Sequence, residues 1–299
     1  MPPPVHPRIR PLRLPGLRAW LDASSPFAAA IESRLPEIAS IPSTFTPIPT
    51  RNRMNKVWEG HLDGIPGPLI IKQGWVNPVY PLDRRIARRV NLALHNRFLQ
   101  SMKLSFRLDA IGFASVRPVL CWKKYTGLFP TEIGILYPKI EAPSSFSRYL
   151  VIPNDPTGPW RFATLPPETA RAWGRHTRRL NAAGLLHTDP APWNILLRPG
   201  GAAPPQEADF IYIDTDAFRP LPVRPSTSPL ARYHRALAMD RVLQFLSPDD
   251  LSAFCDGFAF PGESPSAWHR LFDWLRGHPN PHPPAKLRLF LRALVRFGK

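Results

Sequence analysis

The stretch Leu180-Asn181-Ala182-Ala183-Gly184-Leu185-Leu186-His187-Thr188-Asp189-Pro190-Ala191-Pro192-Trp193-Asn194-Ile195-Leu196-Leu197 decides how this 299-residue chain is read. Its polar centre sets an aspartate and an asparagine five positions apart behind a histidine, in the spacing His-x-Asp-x-x-x-x-Asn, between two apolar flanks. Just upstream, Pro166-Pro167-Glu168 signals a helix start and Gly184 a helix stop. A helix is therefore predicted through about Ala183, with Trp173 and Leu180 facing inward and Arg171, Arg175, Arg178 and Arg179 wet. Just downstream, a strand is predicted from Asn194 to Leu197, then a Gly/Ala/Pro turn, then a strand from Phe210 to Ile213 that delivers Asp214-Thr215-Asp216. The remainder to the C-terminus reads as mainly helical.

Moving towards the N-terminus, residues 138–166 are proline-rich and linker-like, and Arg117 to Trp122 and Ile133 to Tyr137 read as strands. Asp83 is placed to cap a helix running to about Met102, in which Ile86, Val90, Leu94, Phe98 and Met102 recur every four residues as an apolar stripe. Arg84, Arg85, Arg88 and Arg89 occupy its other faces. Lys56 to Lys72 reads as a hairpin with turns at Asp63-Gly64 and Pro66-Gly67, ending in the short strand Leu69-Ile70-Ile71-Lys72. Residues 1–44, rich in proline and arginine, read as an extension with one short helical candidate from Leu17 to Leu35.

Thirty-nine basic against 22 acidic side chains give a net charge of +17, which favours an anionic partner: nucleic acid, an acidic membrane surface, or a phosphorylated or carboxylated substrate. The hydrophobic content of 43% suits one large domain or two packed lobes. Only Cys121 and Cys255 are present, far apart and without a partner motif, so a disulfide framework and a zinc site are not expected and a reducing compartment is. No apolar run approaches the roughly 18 residues of a membrane span. The N-terminal arginines Arg8, Arg10, Arg13 and Arg18 precede no apolar signal core, so export is not expected.

Phosphoryl transfer asks a protein for positioning and for neutralisation of phosphate charge, hence for a cation, metal ligands and a base. The chain offers these in the required order: Lys72 ending a strand, Asp189 and Asn194 in a loop after a helix, and Asp214 ending a later strand. The stretch from Leu180 to Leu197 resembles the helix end, catalytic loop and strand of the protein-kinase-like superfamily. Tyr212-Ile213-Asp214-Thr215-Asp216 stands where kinases carry Asp-Phe-Gly, with an aspartate in place of the glycine. That variant, with the Val57-Trp58-Glu59-Gly60 hairpin, the Ile70-Ile71-Lys72 strand and a leucine-rich tail, resembles the lipopolysaccharide kinase family, which phosphorylates core sugars. The resemblance spans about residues 52 to 246, and the segment from 180 to 216 is its specific part.

The resemblance implies an α+β, two-lobed protein-kinase-like fold: a small strand-rich N-lobe over 45–141 and a larger, mainly helical C-lobe over 142–299, with ATP between them. It implies that Asp189 is the catalytic base orienting the acceptor hydroxyl. It implies that Asn194 and Asp214 hold Mg2+ against ATP, that Asp216 adds a metal contact or caps a turn, and that Lys72 meets the α- and β-phosphates. His187 is expected to brace the loop by hydrogen bonds. The implied reaction is ATP-dependent phosphorylation of a sugar hydroxyl on an anionic lipid-sugar of the lipopolysaccharide core, heptose or 3-deoxy-octulosonic acid in type, at the cytoplasmic membrane face.

The chain departs from the kinase pattern in two places. No glycine-rich loop precedes Lys72, and the 83–102 helix holds no glutamate to pair with it; Asn91 stands roughly where one belongs. Two alternatives therefore stay open: a kinase of small alcohols, like aminoglycoside or choline kinases, and a catalytically inactive kinase-like binding module. The segment from Lys286 to Phe297, with Arg288, Arg292 and Arg296 on one stripe, reads either as an amphipathic helix for an anionic membrane or as a last helix packed on the C-lobe. Specific nucleic-acid binding is not expected, since no arginine-aromatic interleaving of known RNA-binding modules occurs.

Overall fold

The computed structural model describes residues 8–49, 55–76, 81–140, 144–145, 150–151, 161–162, 165–198, 205–213, 215–221, 228–243 and 245–277. The chain divides into two compact units, one of Met1–Leu108 and Val116–Glu141, the other of Asp109–Ser115 and Ala142–Lys299. The architecture is α+β as expected, strand-rich first and helical after.

The first unit is built on one antiparallel sheet of seven strands, β1 (Ile9–Leu14), β2 (Leu17–Asp22), β3 (Phe45–Ile48), β4 (Asn55–Gly60), β5 (Leu69–Trp75), β6 (Leu120–Thr126) and β7 (Phe129–Pro138), in the order β1-β2-β6-β7-β5-β4-β3. The predicted hairpin is β4–β5, with Val57 opposite Lys72, and β5 in turn pairs Lys72 with Ile135 of β7. Alternation positions these side chains: Leu69 and Ile71 are buried, whereas Ile70 and Lys72 are half-buried. Trp122, fully buried on β6, lies opposite Gly134 on β7, and a Cβ at Gly134 would come within 2.0 Å of the indole. The glycine makes the room that the tryptophan fills.

Residues 9–44, within the stretch expected as an extension with one helical candidate from Leu17 to Leu35, are part of this sheet and its core. Leu17, Ala19 and Leu21 alternate inward on β2, which hydrogen-bonds to β6. The short helices α1 (Ala28–Ser33) and α2 (Leu35–Ala39) bring Ile31, Leu35 and Ile38 into the cluster that holds Leu69, Ile71, Leu120 and Leu136. Asp22 at the end of β2 is fully buried, in an ion pair with Arg117 at 3.1 Å and accepting from the Ser24 hydroxyl.

The single helix expected over 83–102 is two helices, α3 (Leu82–Leu94) and α4 (Arg97–Ala110). The cause is local: His95 is extended (φ −119°, ψ 123°), and the Asn96 side chain accepts from the Leu99 N–H at 3.1 Å, starting a new helix. Asp83 lies in the first turn of α3 and does not cap it by a side-chain hydrogen bond. The expected stripe splits with the helix, Phe98 and Met102 being buried in α4 while Ile86, Val90 and Leu94 of α3 are exposed. Lys123, buried on β6, donates from Nζ to the Leu92 carbonyl of α3.

In the second unit, helix α5 (Pro167–Ala182) follows the small strands β8 (Ser144–Ser145), β9 (Leu150–Val151) and β10 (Arg161–Phe162) and runs where it was predicted. Trp173 and Leu180 are buried in it, and Gly184, at φ +76°, ends it. Its arginines are less wet than expected: Arg175 pairs with Glu207 at 3.0 Å and Arg178 donates to the Ala259 carbonyl. Beyond it come β11 (Leu185–His187), β12 (Ile195–Leu197), β13 (Phe210–Tyr212) and β14 (Phe218–Pro220), then α6 (Pro229–Leu243), α7 (Pro248–Phe258) and α8 (Pro265–Arg276). Helices α5 and α7 cross backbone to backbone, since a Cβ at Gly174 would meet the Phe254 carbonyl at 2.2 Å and one at Gly257 the Arg171 carbonyl at 2.1 Å. The segment 109–115 belongs to this unit: Ala114 accepts from the Tyr212 N–H at 3.1 Å, and Ser115 bridges Tyr212 in parallel.

Candidate functional site

Two antiparallel pairs hold the loop that follows α5. β11 pairs with β14 (His187 opposite Phe218) and β12 pairs with β13 (Ile195 opposite Tyr212), so the two ends of the loop 188–194 come beside Ile213 and Ala217. Both ends of this double crossing are tied. Ile213 N–H donates to the Asn194 carbonyl at 3.2 Å, and Thr188 donates to the Ala217 carbonyl twice, from its N–H at 2.9 Å and its hydroxyl at 2.6 Å.

Within the loop, the Asn194 amide nitrogen donates to the Asp189 carbonyl at 3.0 Å and to its carboxylate Oδ2 at 3.3 Å. Asn194 is nearly buried and sits in a 3-10 turn, Pro192–Asn194, whose Asn194 N–H closes on the Ala191 carbonyl. Pro192 opens that turn, where its missing N–H would have no partner within the turn, and its carbonyl accepts from the Ile195 N–H. The Asn194 amide nitrogen is committed to Asp189, backbone and side chain together.

His187 is buried, and its Nδ1 accepts from the Asp189 N–H at 3.2 Å, which fixes the neutral tautomer with the proton on Nε2. The ring stacks on Tyr212 (5.1 Å, 24°) and meets the Phe218 edge at 4.4 Å. Bracing was its expected role. Below it, His176 of α5 stacks on Phe210 (5.1 Å, 27°) and lies 5.2 Å from Tyr212. Burial, with the Arg179 guanidinium near, pushes His176 down to about 3, so the ring stays neutral and behaves as one more aromatic plate. Thr188 and His176 went unrecognised in the sequence. Thr188 sits inside the motif at a position open to any residue, and the only trace of His176 was its inward helical phase beside Trp173.

Lys72 lies on β5 in the first unit, half-buried. Asp214 lies outside the described residues, between Ile213 and the 3-10 turn Thr215–Ala217 that carries Asp216. The segment Lys286 to Phe297 also lies outside them. Among the described residues, no three His, Cys, Asp or Glu side chains come together, and no helix is long and apolar enough to cross a membrane.

No family model matches the chain, and no curated protein matches it. Among solved structures, it is similar to WaaP in complex with acyl carrier protein, at 16% identity and a TM-score of 0.48 over 90% of this chain and 97% of that one. It is also similar to the PknI kinase domain of Mycobacterium tuberculosis, at 16% identity and a TM-score of 0.40 over 86% of this chain and 96% of that one. These are likenesses of fold.

Proposed function

We propose that this protein is an ATP-dependent phosphotransferase acting on a hydroxyl group, and that its acceptor is a sugar of a lipopolysaccharide core. The observation that carries the reading is the clamped pair of segments: Asn194 holds Asp189 by its amide, while the backbone on both sides is hydrogen-bonded to residues 213 and 217 that flank Asp214. That arrangement serves a reaction in which the protein positions groups and supplies charge.

In this reading the Asp189 carboxylate would accept a hydrogen bond from the acceptor hydroxyl and take its proton as that oxygen bonds to the γ-phosphorus and the bond from the γ-phosphorus to the bridging oxygen breaks, ADP leaving. Asn194 holds that carboxylate by one oxygen, and His187 fixes the Asp189 backbone by accepting its N–H. The Asn194 carbonyl oxygen and the Asp214 carboxylate are the hard oxygen donors that Mg2+ requires, with Asp216 a further one, and Lys72 is the cation for the phosphates. Mg-ATP supplies the transferred phosphoryl group and the charge that draws off electrons from it. The sugar acceptor is taken from the family resemblance of residues 180–216 and fits the net charge of +17.

The test is Mg-dependent ATP binding and slow ATP turnover by the full chain, beside Asp214→Asn, Asn194→Ala and Asp189→Asn. We expect Mg-ATP binding to be lost in the first two variants. Asp189→Asn should keep binding but lose acceptor-stimulated turnover by about two to four orders of magnitude. Wild-type protein that binds no Mg-ATP overturns the reading in favour of an inactive binding module.

A further inference from the structure

A second cation stands beside Lys72 on strand β5, and it comes from a helix. Lys72 and Gly74 are two residues apart, so they face the same side of the sheet about 7 Å from each other. The register puts Val57 and Asn55 of β4, and Ile135 and Ile133 of β7, on that side with them. Gly74 leaves a notch there, and the half-buried guanidinium of Arg97, the first residue of α4, fills it. A Cβ at Gly74 would come within 3.0 Å of Arg97 Nη2 and 3.2 Å of Asn55 Oδ1. Arg97 Nη2 donates to Asn55 Oδ1, and the guanidinium lies over the Phe98 ring at 4.9 Å, so it is held from two directions.

The other charges of this side lie apart from the two cations or are engaged. Lys123, opposite Ile133, donates to the Leu92 carbonyl. Glu59, opposite Ile70, is in an ion pair with Lys139. The single acid of α4, Asp109, stands about 18 Å from Arg97 along the helix. Two cations fixed on one half-buried face repel each other, and an anion set across both turns that repulsion into attraction. The chain also has no glycine-rich loop ahead of Lys72 whose amides would share phosphate charge. An arginine fork at this place offers N–H donors in the planar geometry that pairs of phosphate oxygens accept.

We propose that Arg97 binds a phosphate chain beside Lys72, held in place for it by Asn55 and by the notch at Gly74. That the chain is the nucleotide's rests on the phosphotransferase reading; that the residue is Arg97 rests on the sheet.

The experiment is calorimetric titration of the full chain with Mg-ATP and with Mg-saturated tripolyphosphate, beside Arg97→Ala, Arg97→Lys, Gly74→Ala and Arg107→Ala, each checked for folding by thermal unfolding. Arg97→Ala should weaken both ligands by the same factor, about tenfold or more, as charge-assisted hydrogen bonds to phosphate are lost. Arg97→Lys keeps the charge without the fork and should fall between. Gly74→Ala keeps the arginine but pushes its guanidinium out of the notch, and should weaken both ligands several-fold; it decides the matter if Arg97→Ala does not fold. Arg107→Ala removes an exposed arginine of the same helix and should change neither affinity, which separates a placed charge from the general charge of +17. Mg-ATP that binds the wild type, Arg97→Ala and Gly74→Ala equally well overturns the inference and leaves the phosphotransferase reading standing. So does a loss for Mg-ATP that tripolyphosphate does not share, which would give Arg97 a structural role. Tripolyphosphate should displace Mg-ATP, and binding of both at once would overturn the nucleotide as the source of the phosphates. If the wild type binds no Mg-ATP, the phosphotransferase reading fails; tripolyphosphate binding that Arg97→Ala weakens would then uphold the phosphate site, and no such binding would overturn it as well.

Discussion

His176 shows what burial does to a titratable side chain in this protein. Its ring is enclosed by Phe113, Phe210 and Tyr212, and its pKa is pushed down to about 3. In the unfolded chain it would titrate near the ordinary value of about 6.5. Between those two values the unfolded state binds a proton that the folded state refuses, so stability is full above about pH 6.5 and falls as pH drops towards 3, by up to about 1.4 kcal/mol per unit. His176→Phe should keep the stacking and lose the titration. Its melting temperature is expected to fall less than that of wild type between pH 7 and pH 4.5, as followed by circular dichroism. An equal fall would mean that other groups carry the acid sensitivity. At this scale the sequence was legible where chemistry fixes spacing, at His187, Asp189 and Asn194. It was silent where a role comes from a partner distant in sequence, as with Thr188 and the Ala217 carbonyl, or Lys123 and the Leu92 carbonyl.

Among elements, the crossing of α5 and α7 is set by two glycines that a side chain would drive apart. Gly174→Ala should cost about 1–3 kcal/mol and lower the denaturant midpoint, because a methyl group 2.2 Å from a carbonyl oxygen forces the two backbones to separate. Gly277→Ala is the contrast: it lies at φ −71°, and among the described residues a Cβ there meets only the Trp274 carbonyl at 3.5 Å, so stability should stay level or rise by a few tenths of a kcal/mol. Equal losses at both sites would place the cost in glycine itself and not in the crossing. Nearby, α6 and α8 share a different device. Arg235 is fully buried, paired with Glu263 at 3.0 Å and sandwiched by Phe258, Phe260 and Trp268. Burial pushes its guanidinium down to about 10, which still leaves it charged at neutral pH. Burial alone would raise the Glu263 pKa, but Arg235 and hydrogen bonds from the Phe260 N–H and the Trp268 indole outweigh it and hold the carboxyl below its usual range. Helix α5 was readable from its proline start and glycine stop. The α3–α4 break was not, because the four-residue apolar recurrence from Ile86 to Met102 continues through His95 and Asn96, and only the side-chain cap at Asn96 ends it.

For the whole molecule, the α+β order of the chain was legible, and the membership of its first 44 residues was not. Prolines and arginines gave that segment the texture of an extension, yet Leu17, Ala19 and Leu21 alternate inward on a strand, a three-residue signal too short to stand out beside Pro11 and Pro15. The boundary between the units hid for a related reason: residues 109–115 leave the first unit and supply Phe113, Ala114 and Ser115 to the second before the chain returns. A fragment of residues 142–299 would lack the carbonyl that accepts the Tyr212 N–H and the ring that covers His176. We expect it to show no cooperative thermal unfolding unless a peptide of residues 109–115 is added or fused, and a fragment that unfolds cooperatively alone would show that this segment is dispensable. The same excursion bears on descent. A gene segment encoding either unit without interruption also omits part of it or carries part of the other, so no single recombination joint can exchange one unit for a relative's, and the two must be inherited together.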